Sequence, residues 1–262
     1  MKLSSEKPEI KVTFLGTGTS QGVPVIACEC EVCQSQDKKD KRLRSSVLVQ
    51  VNKKNIVIDT GPDFRQQMLT HKVKHLEAVL FTHEHKDHIA GLDDVRAFNY
   101  IQKQPTDIYA SENVIKALKR EFYYAFEEVK YPGVPQLNIH QIENKPFIAD
   151  DISIIPILVY HYKLPVFGFR IGDFVYITDA NKIPIEEMVK LKDVKILVLN
   201  ALRKEKHISH FTLSEAIEVA REINAQKTYF THISHLMGKH EEVNKELPEN
   251  MYLAYDGLTI EV

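Results

Sequence analysis

The segment Thr82-His83-Glu84-His85-Lys86-Asp87-His88-Ile89-Ala90-Gly91 constrains this chain more than any other, because it directly follows the apolar run Ala78-Val79-Leu80-Phe81. An apolar β-rich run followed by ligand-type side chains places them at the carboxyl end of a strand, where α/β sheets put their sites. Imidazoles two residues apart on extended chain project to the same side, so His83 and His85 can grip one ion. Asp87 and His88, at the turn into a helical pattern, can face a second. Chance is a weak rival: with 12 histidines in 262 residues, an H-x-H-x-D-H string is expected about once in a thousand such chains.

One such cluster cannot close two metal sites, so distant partners are required. Three candidates stand at comparable strand ends: His161 after Ile152 to Tyr160, Asp179 after Phe174 to Thr178, and His232 after Thr228 to Thr231. The three cysteines form a second cluster, Cys28-Glu29-Cys30-Glu31-Val32-Cys33. An odd number at this spacing reads as a thiolate metal knuckle in a reducing compartment, and not as a disulfide framework.

The rest of the chain reads as a layered α/β protein. Strands are predicted at Lys11 to Leu15, Ser46 to Val51, Asn55 to Ile58, Glu77 to Phe81, Val166 to Ile171, Lys195 to Leu199 and Leu258 to Val262, besides those ending in candidate ligands. Helices are predicted over Phe64 to Val73, Ile89 to Gln102, Glu112 to Val129, Pro184 to Lys190 and Leu213 to Ile223. The last carries a capping box, Thr212 with Glu215. No linker or repeat interrupts the alternation, which predicts a single domain over 1–262. Residues 121–150, rich in Tyr and Pro, read either as a loop packed on the body or as a wall or lid over a site.

Charge narrows the partners. Lys and Arg number 34 against 36 Asp and Glu, so no global positive field favours nucleic acid or an anionic membrane. The start, MKLSSEKPEI, lacks an apolar signal-type core, and no uncharged apolar run approaches membrane-spanning length. The expectation is a cytoplasmic protein. Gly16-Thr17-Gly18 lacks the remaining residues of a nucleotide loop. Arg96 is expected to pair with Asp93, and His71, His75, His140 and His240 to be ordinary surface residues.

His83, His85, Asp87, His88, His161, Asp179 and His232, in this order, resemble the metallo-β-lactamase superfamily over essentially the full length. Phe14-Leu15-Gly16-Thr17-Gly18-Thr19-Ser20, the cysteine knuckle, and Ile58-Asp59-Thr60-Gly61-Pro62-Asp63-Phe64-Arg65 are similar to its PhnP-like branch of phosphodiesterases, with ribonuclease Z a more distant relative. The resemblance implies a four-layer αββα sandwich with a two-metal site at the edge between the sheets. It implies that His83, His85 and His161 hold one divalent ion and Asp87, His88 and His232 the other, with Asp179 bridging. Manganese or zinc suits these ligands, and the sequence does not choose between them.

It further implies that Asp59 orients a ligand imidazole, and that His210 (with His207 the competitor) protonates the leaving group. His235 would complete a structural zinc with Cys28, Cys30 and Cys33. The reaction implied is attack of a metal-bridged hydroxide on a small cyclic or nucleotide-like phosphodiester, with Asp87 and Asp179 in the catalytic set. Ribonuclease Z-like processing of tRNA, thioester or lactone hydrolysis, and a non-catalytic metal-binding role stand as alternatives. Nucleic acid is not the expected partner, and a homodimer is a family expectation. Tyr162 departs from the pattern, because many relatives carry glycine after the third metal histidine; its ring narrows the pocket or stacks on substrate.

Overall fold

The computed structural model describes residues 9–129 and 131–262; the chain start read above as lacking a signal core (residues 1–8) and Lys130 of the 121–150 excursion lie outside them. The first sheet comprises β1 (Ile10–Gly16), β2 (Ser46–Val51), β3 (Lys54–Ile58), β4 (Ala78–Leu80), β5 (Thr106–Ala110) and β6 (Leu137–Gln141) in that order, with the last strand of the chain, β14 (Thr259–Glu261), on the β1 edge. The second comprises β7 (Phe147–Ala149), β8 (Ile152–His161), β9 (Leu164–Ile171), β10 (Phe174–Ile177), β11 (Ile196–Asn200), β12 (Lys227–Thr231) and β13 (Met251–Leu253) in order. Each sheet is antiparallel in its first part and parallel from β3 to β6 and from β10 to β13.

Alternation along single strands explains the layering. In β2, Val47, Val49 and Val51 enter the core between the sheets, whereas Leu48 faces outward into the helix layer. In β11, Ile196 and Val198 point inward, and Leu197 and Leu199 outward. Strands buried on both faces are continuously apolar, and that is what their sequences show. The inner core joins Phe14, Ile58 and Leu80 of one sheet to Phe169, Tyr176 and Val198 of the other. Helices α2 (Phe64–Thr70), α4 (Arg96–Gln102) and α5 (Glu112–Glu121) cover the first sheet, and α6 (Leu213–Ile223) the second. The fold is the expected αββα sandwich. Among the described residues no helix is long and apolar enough to cross a membrane.

Several element boundaries differ from expectation for a physical reason. The predicted helix Ile89 to Gln102 is three pieces: α3 (Lys86–Ile89), a 3-10 turn at Leu92–Val95, and α4. Backbone packing forces the break, since a Cβ on Gly91 would lie 2.1 Å from Gly61 O, and one on Gly61 would lie 2.2 Å from Asp87 O. That contact is bonded by Thr60 N to His88 O and Gly91 N to Thr60 O, both 2.8 Å. Pro184 to Lys190 is a 3-10 helix, Ile185–Leu191. Within 121–150, β6 and β7 are edge strands of the two sheets, so part of the supposed loop is sheet. His240, at the start of α7 (His240–Glu246), is buried and not a surface residue: Arg42 Nη2 stands 3.2 Å from its Nδ1. Arg96 does pair with Asp93, at 3.2 Å.

Candidate active site and cysteine knuckle

The carboxyl ends of β3, β4, β8, β10 and β12 deliver Asp59, His83, His161, Asp179 and His232 to one edge of the sandwich. Asp59, Asp179 and His232 turn away from their strands with left-handed backbones, φ 66°, 55° and 58°. Such conformations cost about 1 kcal/mol or more for a non-glycine residue and cluster where function fixes a side chain. A threonine precedes three of these residues: Thr82, Thr178 and Thr231. Thr178 Oγ1 donates to Asp179 Oδ2 at 2.6 Å.

Asp87, His88, Asp179 and His232 each bring one ligand atom within 4.8 Å of the others. Asp179 Oδ2 lies 3.2 Å from both His88 Nε2 and His232 Nδ1, and its Oδ1 lies 4.0 Å from His83 Nε2. His83 Nε2 and His85 Nδ1 face each other at 3.1 Å. The His85 and His161 rings are 5.2 Å apart. His161, Asp179 and His210 form a second group of ligand atoms within 4.8 Å. All seven residues expected to hold ions are therefore gathered, with Asp179 in the middle, and His210 stands among them. Its Nδ1 is 3.9 Å from Asp179 Oδ1, and its ring stacks on His232 at 4.9 Å.

Hydrogen bonds set the imidazole tautomers. His88 Nδ1 is 2.7 Å from Asp59 Oδ2, His83 Nδ1 is 3.0 Å from Thr82 Oγ1, and His161 Nδ1 is 2.8 Å from Ser209 O. Thr82 Oγ1 in turn donates to Asp59 Oδ2 at 2.8 Å, and Thr82 N to Asp59 Oδ1 at 2.9 Å. With Nδ1–H engaged outward, each of these rings presents Nε2 to the cluster, the arrangement that outer partners impose on metal-ligating histidines. Asp59 is thus beside His88, as expected. The bonding role of Thr82 was missed, although its place immediately before His83 was the available signal.

Electrostatics match a cation site. Burial drives the His83 imidazole well below its ordinary pKa, helped by His88. Burial also lowers His232 and pushes His210 down to about 3. These rings are neutral at pH 7, with lone pairs to give. Asp179 goes the other way: burial opposes its charge, but His232 and His88 outweigh it and hold the carboxyl well below the usual range. Burial likewise opposes charge on His88, but Asp87, Asp179 and Asp59 outweigh it and hold the imidazole well above its ordinary value, so that a cation taken up there would displace the proton from Nε2. Two carboxylates and buried nitrogens then face one another, and His88 Nε2 and His232 Nδ1 are buried with no hydrogen-bond partner. Unpartnered buried atoms of this type fit divalent cations bound between them.

The cysteines converge as well. Cys28, Cys30 and Cys33 Sγ lie 3.3, 3.4 and 3.6 Å from His235 Nδ1, and the cysteines are unbridged. Cys30 caps the short helix α1 (Glu31–Gln34) and accepts from Cys33 N at 3.4 Å. That bond, with His235, lowers the Cys30 thiol to about 6, whereas burial raises Cys33 to about 11. Four donors at these separations suit a tetrahedral ion with Zn–S near ~2.3 Å. Ile233 N bonds Thr17 O at 2.8 Å, and Ile233 O accepts from Thr19 N at 3.1 Å. The loop that carries His232 and His235 is therefore stitched to the N-terminal one.

The chain belongs to the metallo-β-lactamase superfamily: the family described as the beta-lactamase superfamily domain matches residues 54–233. Fold and family make it a metal-dependent hydrolase. Its branch follows from a solved structure described as a new diphosphatase from the PhnP family. The two share 41% identity at a TM-score of 0.91, over 97% of this chain and 98% of that one. Human tRNase Z, short form, is similar in fold, with 20% identity and a TM-score of 0.69 over 95% of this chain and 98% of that one. Among curated proteins, one named octanoyltransferase from Porphyromonas gingivalis is 38% identical over 252 residues, which is 95% of this chain but 51% of that protein. A coenzyme PQQ synthesis protein B from Methylobacterium nodulans is 29% identical over 42% of this chain and 40% of its own length. The chain thus spans about half or less of the length of these curated relatives.

Proposed function

We propose that this chain is a metal-dependent phosphodiesterase acting on a small phosphodiester or diphosphate. The observation that carries the reading is the placement of Asp179, within about 4 Å of nitrogens on four histidines drawn from three parts of the chain. In this reading His83, His85 and His161 would hold one divalent ion and Asp87, His88 and His232 a second, with Asp179 available to both. Cys28, Cys30, Cys33 and His235 hold a structural zinc. Two such ions supply Lewis acidity to a phosphoryl oxygen and to the attacking water. Manganese and zinc both suit the donor set.

The chain's own residues do the rest. Asp59 and Thr82 keep His88 and His83 in one tautomer and orientation, so the cluster is preorganised. Asp179 and Asp87 stay ionised, balancing positive charge while the phosphate is free to bear its own. His210 is neutral in the free protein, its Nδ1 buried and unpartnered. A bound phosphate anion beside it raises its pKa, so that a proton taken up there is available to the leaving oxygen.

The name of the Porphyromonas gingivalis relative belongs to a protein almost twice the matched length. The test is hydrolysis of bis(p-nitrophenyl) phosphate and of cyclic phosphates by metal-replete protein. Turnover that disappears in Asp179→Ala is the expected result; no cleavage of any phosphodiester by the wild type refutes the reading.

A further inference from the structure

Strand β10 pairs with β11 as far as Ile177 and Leu199, and Asp179 then turns the chain away in a left-handed conformation of φ 55°. The peptide groups of the next residue, Ala180, still need partners, because Ala180 is fully buried and water does not reach it. Asn200, the last residue of β11, supplies them with its side chain. Its Oδ1 accepts from Ala180 N at 2.8 Å, and its Nδ2 donates to Ala180 O at 2.9 Å. These two bonds settle which end of the amide is which, since exchanging O and N would set donor against donor. The primary amide thus does what a strand peptide does in a ladder, giving one bond and taking one from the same neighbour. Asn200 is itself fully buried, so solvent does not compete for either bond. Among side chains of its size, aspartate lacks the donor and leucine lacks both groups.

The same stretch of chain holds two further loops of the site. Ala201 N donates to Thr231 O at 2.9 Å, directly before His232. Leu202 N donates to Phe211 O at 3.0 Å, directly after His210. Phe211 N in turn donates to Ala180 O at 2.8 Å, so one carbonyl joins Asn200, the Asp179 turn and the His210 loop. Residues 200–202 therefore anchor the segments that bring Asp179 Oδ1 to 3.9 Å from His210 Nδ1 and Asp179 Oδ2 to 3.2 Å from His232 Nδ1. A left-handed backbone at a non-glycine residue persists only where its surroundings over-determine it, and here the Asn200 amide is the side chain that does so.

We propose that Asn200 is a positioning residue for the ligand cluster. Its amide holds the strained turn at Asp179 against the His210 loop, and so sets where the Asp179 carboxylate stands relative to His210 and His232. It acts through the Ala180 peptide and offers no ligand atom of its own to an ion. The proposal rests on the reading of the cluster as an ion site, and adds to it the residue on which the placement of its central carboxylate depends.

Asn200→Leu matches the shape of the side chain and removes both bonds. Val198→Ala, on the same strand, trims the inner core and leaves the turn alone, so it shows what lost stability does without loss of the clamp. Affinity for the ions beyond the knuckle zinc, titrated with zinc and with manganese against a chelating dye, should fall about 10- to 100-fold in Asn200→Leu. It should stay at the wild-type level in Val198→Ala, although both variants melt below the wild type. Equal affinity in Asn200→Leu and the wild type overturns the proposal. So does an equal loss in Val198→Ala, which makes the effect one of general stability. If Asn200→Leu does not fold, Asn200→Ala takes its place; failure of both to fold assigns Asn200 to the fold and also overturns the proposal. If the wild type takes up no ion at the cluster, the metal-dependent reading falls separately. Amide exchange of the metal-free chain then decides the clamp. Exchange at Ala180 and Phe211 about tenfold faster in the variant, with the amides of β10 unchanged, supports it, and equal exchange refutes it.

Discussion

Asp59 Oδ2 lies 2.7 Å from His88 Nδ1, and neither side chain is accessible to solvent. Asp59 sits behind the ligand cluster and reaches it through the His88 imidazole and, by way of Thr82 Oγ1, through His83. Burial raises the Asp59 carboxyl, and His88 and Thr82 pull it back toward the charged form. Asp59→Asn keeps the shape but loses the charge that holds His88 in its tautomer. Metal affinity and kcat/KM should each fall about 10- to 100-fold, read by competition with a chelating dye and by hydrolysis. Unchanged affinity would show that Asp59 serves the turn before Gly61 and Pro62 instead.

His210 separates proton delivery from ion binding. His210→Ala should lower kcat by about 10²- to 10⁴-fold, while the metal content measured by plasma mass spectrometry stays at the wild-type level. Loss of an ion together with activity would make His210 a ligand, an outcome its 3.9 Å approach to Asp179 makes worth checking.

Cys30→Ser opens the knuckle. Serine still caps α1, so the variant removes the thiolate alone; it should lose its zinc and melt below the wild type, followed by circular dichroism and a zinc-release dye. Whatever folds should keep most of its kcat, since the knuckle lies outside the imidazole cluster. Zinc content equal to the wild type contradicts the four-ligand assignment.

His240 gives a pH signature. Its burial, then Arg42 and Lys39, lower its pKa from 6.5 to about 4. Between those values the unfolded chain binds a proton that the folded chain refuses, so stability is full above pH 6.5 and is lost as pH falls toward 4. The loss amounts to about 2 kcal/mol after partial screening. Urea unfolding across this window should show a slope that flattens in His240→Asn; identical slopes would remove His240 from the account.

The site was more legible than the fold's joints. His83, His85, Asp87 and His88 are adjacent in sequence, and their distant partners all terminate apolar β-branched runs, so local pattern located them. Helix α6 was legible for the same reason, since its capping box is local. The break between α3 and α4 was not, because it is imposed by Gly61, 30 residues before Gly91. Strand β13 pairs in parallel with β12, and His240 is buried by Arg42 from the other end of the chain. Neither leaves a trace in a short window. Nor does the left-handed backbone at Asp59, Asp179 and His232, where the strain is held by the surrounding sandwich.

Metal analysis of the purified wild-type chain beside Asp179→Ala tests the central claim most directly. The account predicts two ions at the imidazole cluster and one zinc at the knuckle in the wild type, with only the knuckle zinc firmly retained in the folded variant. A folded Asp179→Ala protein with the wild-type metal content, or a wild type that takes up no ion beyond the knuckle zinc, would contradict it.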